Sequence, residues 1–175
     1  MAEKLKVLLQ YYGISPWEIE VLYGFLNSHF EVMQDEIEPD EPEFVSVLEI
    51  RVPLAFNEAF FEWFTFKKWE KIKGILKEMK RRRGSSNALR VRIKFAGSPR
   101  ITFLADSRER EYFDNAVEKM DFVLELLPYH LDPQKLPADT TELSYVFDVR
   151  SAKWRQGEAT GNKRYLFVNG TWKMI

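Results

Sequence analysis

The sequence predicts an α+β fold, a mainly antiparallel sheet with helices packed on one face. Three observations predict it. Segments that alternate apolar and polar residues take turns with segments of helical apolar period. Hydrophobic residues make up 45% of the 175 and aromatics 15%, enough for a packed core and too much for a disordered chain. The middle of the chain runs β-α-β-β-α-β, the order of a ferredoxin-like core. The length suits a single domain over 1–175, with a helical and acidic-loop extension at 1–43 and the α+β core at 44–175.

Leu5, Leu8, Leu9 and Tyr12 fall on one face of a short helix, which Gly13 would end. Ser15-Pro16-Trp17-Glu18 starts a second, with Ser15 as N-cap, Pro16 at N1 and Glu18 closing a capping box; it is expected to reach about Glu31. Residues 31–43 hold seven acidic residues, two prolines and no base, and read as an exposed loop. Phe44–Pro53 is the first strand. From Phe56 to about Arg83 the period is helical, with Asn57 or Thr65 available as N-cap, so two helices with a bend are allowed. Lys80 to Arg83 favour the negative end of the helix dipole, and Gly84 follows.

Leu89, Val91, Ile93 and Phe95 alternate with Arg90, Arg92 and Lys94, a strand with one apolar and one basic face. Gly97-Ser98-Pro99 turns the chain into Ile101–Ala105. Asp106 through Leu127 is the clearest amphipathic helix, with Asp106 as N-cap. Leu143–Arg150 is a strand, and residues 157–162 read as a loop tip. Asn169-Gly170 joins 164–168 to 171–175 as a type I′ hairpin. The expected order is α-α-β-α-β-β-α-β-β-β.

Several functions are excluded by what is missing. The chain has no cysteine, hence no disulfide framework, thiolate metal site or cysteine nucleophile. It has no apolar run of about 18 residues for a membrane span. No phosphate-loop or dinucleotide fingerprint occurs, so no nucleotide cofactor is expected. His29 and His130 belong to no metal-ligand spacing and read as structural. No signal peptide is apparent, and a cytoplasmic location is the default.

The net charge of −1 hides a split. Residues 1–66 carry 13 acidic and 3 basic side chains; residues 67–100 carry 13 basic and 2 acidic. Such asymmetry points to a polyanionic partner, unless the two halves fold onto each other and cancel. The leading expectation is therefore a small binding protein for single-stranded or non-specific nucleic acid. Lys80, Arg81, Arg82 and Arg83 on the helix, with Arg90, Arg92 and Lys94 on the strand, would hold phosphates. Tyr145, Phe147, Trp154, Tyr165, Phe167 and Trp172 could stack bases.

Trp69, Ile72, Leu76 and Met79 opposite lysines would also suit a membrane surface. A helix–turn–helix reader at 4–31 is disfavoured, because its second helix carries Glu18 and Glu20 and no base. A second expectation is a metal-dependent nuclease, with Glu49, Asp106 and Asp148 holding Mg²⁺ or Mn²⁺ at strand ends. Arg51 and Arg150 beside two of these carboxylates and the capping position of Asp106 offer structural roles instead. A third is a protein–protein module, with free sheet edges compatible with a homo-oligomer.

Overall fold

In the computed structural model, residues 3–38, 43–86 and 88–175 are described. Among the described residues the fold is α+β, built on one nine-stranded sheet. Its strands are β1 (Lys6–Tyr12), β2 (Glu31–Glu36), β3 (Ser46–Ala55), β4 (Leu89–Ala96), β5 (Arg100–Ala105), β6 (Glu142–Asp148), β7 (Lys153–Thr160), β8 (Arg164–Val168) and β9 (Thr171–Met174). They lie in the order β2-β1-β3-β4-β5-β6-β7-β8-β9. The helices are α1 (Pro16–Leu26), α2 (Glu58–Phe64), α3 (Phe66–Arg83), α4 (Arg110–Lys119) and the short α5 (Leu127–His130), with a 3₁₀ segment over Met120–Glu125.

The sheet is mixed. The pairs β1–β2, β3–β4 and β5–β6 are parallel, each joined by a helical crossover; the remaining pairs are antiparallel. From β3 onward, strands follow one another in sequence order, without the interleaving of a ferredoxin-like core. The expected helix at 5–12 is strand β1. Val7 and Leu9 are buried there while Leu8 and Gln10 take the other face. Two turns of apolar residues fit either period, and pairing with β2 and β3 decides for the strand. The supposed acidic loop contributes β2, an edge strand; residues 39–42 of it lie outside the described residues. The N-terminal segment is thus part of the sheet.

Local signals act where they were read. Ser15 and Glu18 form the capping box of α1, which stops at Leu26 rather than near Glu31. Asn57 caps α2 and Thr65 caps α3, so the long helical stretch is two helices. Asn169 and Gly170 both have positive φ in the β8–β9 turn. The 106–127 helix is shorter: α4 begins at Arg110, Glu109 occupies the N-cap, and Asp106 pairs with Arg90 instead. Strand β7 takes in the first part of the loop tip expected at 157–162; Gly157 bulges there against β6 and breaks the alternation.

One core cluster joins the sheet to its helical layer. α1 packs on α3 and α3 on α4. The stripe Trp69, Ile72, Leu76 and Met79 is buried in that core, which accounts for the amphipathic pattern without a membrane. Among the described residues no helix is long and apolar enough to cross one.

Candidate nucleic-acid interface

Alternation in β4 divides the sheet. Leu89, Val91, Ile93 and Phe95 are buried beneath the helices; Arg90, Arg92 and Lys94 stand on the opposite face. Register extends that face sideways: Glu49 lies beside Arg92, Arg51 beside Lys94, and Thr102 beside Lys94 on the other side. Glu49 is the hub. Its carboxylate is 2.7 Å from Arg51, 3.7 Å from Arg92 and 3.5 Å from Lys94. Burial opposes its ionisation, but the Arg51 hydrogen bond and the charges of Lys94, Arg51 and Arg92 outweigh burial and hold the carboxyl below its ordinary range.

Arg90 sits 3.4 Å from Asp106 and 5.0 Å from the Phe44 ring, and burial lowers its pKa. Toward the other end of the strands, Arg51, Lys94, Arg100, Thr102 and Glu142 line a shallow cleft of about 400 Å³. Arg100 lies 3.5 Å from Glu142, which also accepts a hydrogen bond from the Thr102 hydroxyl at 3.1 Å.

The helical half of the expected basic patch is elsewhere. Lys80 is fully buried; its ammonium donates to the Ser86 carbonyl at 3.1 Å and lies 5.7 Å from the Phe113 ring. Arg83 clasps Glu18 with two 2.8 Å hydrogen bonds and also donates to the Met79 carbonyl and the Ser46 hydroxyl. Arg82 lies over Trp17 at 5.3 Å, and Arg81 pairs with Glu78 at 2.8 Å. Lys73, also buried, meets Glu70 at 2.8 Å, Asp121 at 3.0 Å and Glu118 at 3.5 Å.

So the seven candidate residues do not share one surface. Lys80, Arg81, Arg82 and Arg83 stand on the helical side, and Arg90, Arg92 and Lys94 on the uncovered side. The charge halves do meet, at Arg83–Glu18 and at the Glu49 hub.

The three carboxylates do not gather either. β4 and β5 separate Glu49 from Asp148, at least about 14 Å at roughly 4.8 Å per strand. Asp148 accepts from Ser151 at 3.0 Å and Arg155 at 2.9 Å, Asp106 faces Arg90, and Glu49 faces its three cations. Among the described residues no group of three or more His, Cys, Asp or Glu is placed to hold a metal. The aromatic candidates Tyr145, Phe147, Trp154, Tyr165, Phe167 and Trp172 fall at register positions of the helical side, so they offer the uncovered face no stacking platform.

Two features escaped the sequence. Arg51 and Arg100 join the uncovered face; alternation in their strands carried that signal, but only register shows they meet Lys94. The other is a cavity near α5, where His130 Nδ1 lies 2.8 Å from the Tyr145 hydroxyl. Nothing in the spacing of these residues marks it. No protein-family model, curated protein or solved structure matches this chain.

Proposed function

We propose that this chain binds nucleic acid through the uncovered face of its sheet, holding the phosphate backbone with little regard to sequence. The observation that supports this reading is the cleft in which Arg51, Lys94 and Arg100 stand on three neighbouring strands beside the Thr102 hydroxyl. Arg90 and Arg92 continue the cationic strip along β4. Rigid strands hold such cations in place, so binding orders little backbone. The phosphate contacts would release counterions and make affinity fall with salt. With the six aromatic candidates of β6 to β9 on the other side, single strands and duplexes are bound mainly by the same phosphate chemistry.

The test is fluorescence anisotropy of labelled single- and double-stranded oligonucleotides across a salt series. Binding should weaken with salt, and Arg51→Ala, Lys94→Ala and Arg100→Ala should each weaken it and reduce the salt slope by about one. Binding with an unchanged slope in all three variants, or no binding at low salt, would refute the proposal.

A further inference from the structure

On the helical side of the sheet, away from the basic cleft, a cavity of about 590 Å³ opens between α5 with its following loop and strands β7 to β9. That volume is in the range of small-ligand sites. Three rings line it: Tyr129, which is 67% exposed, and the pair Phe167 and Trp172, whose centroids are 5.0 Å apart. Gln156 and His130 add hydrogen-bonding groups, and the sole charged side chain among the lining residues is Lys135.

The cavity floor is anchored by chemistry, not only by shape. Tyr145 is fully buried, burial pushes its pKa up, and its hydroxyl meets His130 Nδ1 at 2.8 Å. A phenol kept protonated needs an acceptor for its proton. The hydrogen bond shared with His130 Nδ1 satisfies the buried hydroxyl and fixes the orientation of the imidazole at the cavity floor. Burial, with Lys135 nearby, lowers the His130 pKa and keeps the ring neutral near pH 7.

We infer that this cavity binds a mononucleotide. Its rings offer stacking faces for a base. The Gln156 carboxamide carries a donor and an acceptor side by side, the pairing that suits the edge of a nitrogen heterocycle. Lys135, with no carboxylate among the lining residues, is free to meet the phosphate. Recognition through the base needs no glycine-rich phosphate loop, so the absence of such a loop from the sequence does not count against it. The inference is independent of the proposed nucleic-acid face, which lies on the other side of the sheet.

Isothermal titration of the full chain with AMP, GMP, CMP and UMP tests it, with adenosine, guanosine and glucose as comparison ligands. At least one mononucleotide should bind at millimolar concentration or below. Trp172→Ala should weaken it by about tenfold, the scale of one base stack. Lys135→Ala, a substitution at an exposed residue, should weaken the nucleotide while sparing its nucleoside. Lys94→Ala should leave both unchanged.

Three results would overturn the inference: no nucleotide binding at millimolar concentration, glucose binding in place of nucleotides, or nucleotide binding lost in Lys94→Ala but retained in Lys135→Ala and Trp172→Ala. The last would place the ligand on the basic cleft.

Discussion

Helix α3 and strand β4 are the two most cationic elements of the chain, and their charges meet opposite fates. Carboxylates from other elements reach α3: Glu18 from α1 to Arg83, and Glu118 and Asp121 from the α4 region to Lys73. These pairs tie the helical layer together. Strand β4 instead turns its cations to a face that the helices leave uncovered. There Glu49 stands among Arg51, Arg92 and Lys94, and Arg51 remains 51% exposed. Cation density alone therefore says little about binding. Both sets of cations meet carboxylates; what decides is that the pairs of Lys73 and Arg83 are buried between packed helices, while Arg92 and Lys94 each stay 31% exposed.

The largest test of that contrast is Arg83→Met against Lys94→Met. Removing Arg83 leaves the buried Glu18 carboxylate with only the Ser15 N–H and with Arg82 3.9 Å away, and should cost about 3 kcal/mol in urea denaturation. Lys94→Met should cost at most about 1 kcal/mol while weakening oligonucleotide binding. Acid titration adds a sign. Burial opposes ionisation of Glu18, but Arg83 and Ser15 outweigh it and hold its pKa below 4.5. The unfolded chain then binds the proton first, so this stabilisation is present above pH 4.5 and lost as pH falls through the folded value. Arg83→Met should abolish that part of the acid slope. Equal stability losses in the two variants would erase the distinction between helix and strand.

Within α3 the same contrast recurs between two buried lysines. Burial disfavours the charge of Lys73, yet Glu70, Asp121 and Glu118 raise its pKa above 10.5; Lys80, with the Ser86 carbonyl as its hydrogen-bond acceptor, is lowered by burial. Lys73→Met should destabilise the protein by about 2 kcal/mol. Lys80→Met should be neutral or stabilising near pH 7.

The pH signs differ as well. Stability from Lys73 is present below pH 10.5 and lost as pH rises through its folded value. Lys80 releases its proton more readily when folded, so wild-type stability gains as pH rises through that folded value toward 10.5. The advantage of Lys80→Met should shrink over that window, and thermal melts between pH 7 and 10.5 would show it. A Lys80→Met variant as destabilised as Lys73→Met would mean that the Ser86 bond and the Phe113 contact do more than relieve burial.

Why the strand was readable and the helix was not follows from range. The β4 alternation, the Ser15–Glu18 box and the Asn169-Gly170 turn are settled by residues a few positions apart. Arg83 finds Glu18 across 65 residues, and Lys73 finds Asp121 across 48. No local pattern announces either pair. Strand β1 was ambiguous because Leu5, Leu8, Leu9 and Tyr12 satisfy a helix as well as Val7 and Leu9 satisfy a strand. At the cavity, Tyr145 of β6 and His130 of α5 meet through a hydrogen bond that no local spacing announces. The nucleic-acid candidates Arg90, Arg92 and Lys94 could thus be grouped by sequence, while Lys80 to Arg83 could not be separated from them.

The smallest effects probe the uncovered face itself, through Glu49. Its carboxylate already occupies the position between Arg51, Arg92 and Lys94 that a phosphate would contest. Glu49→Gln keeps the shape, removes one negative charge and leaves the three cations to the ligand. Oligonucleotide affinity should rise severalfold at low salt, and the gain should shrink as salt screens the face. Arg81→Ala serves as the matched control. Arg81 is exposed, lies on the helical side and pairs with its neighbour Glu78, so anisotropy curves and unfolding midpoints should be those of wild type. An affinity gain in Glu49→Gln with no change in Arg81→Ala would assign binding to the strand. A loss in Arg81→Ala with no response in Glu49→Gln would move it to the helix and reverse the contrast.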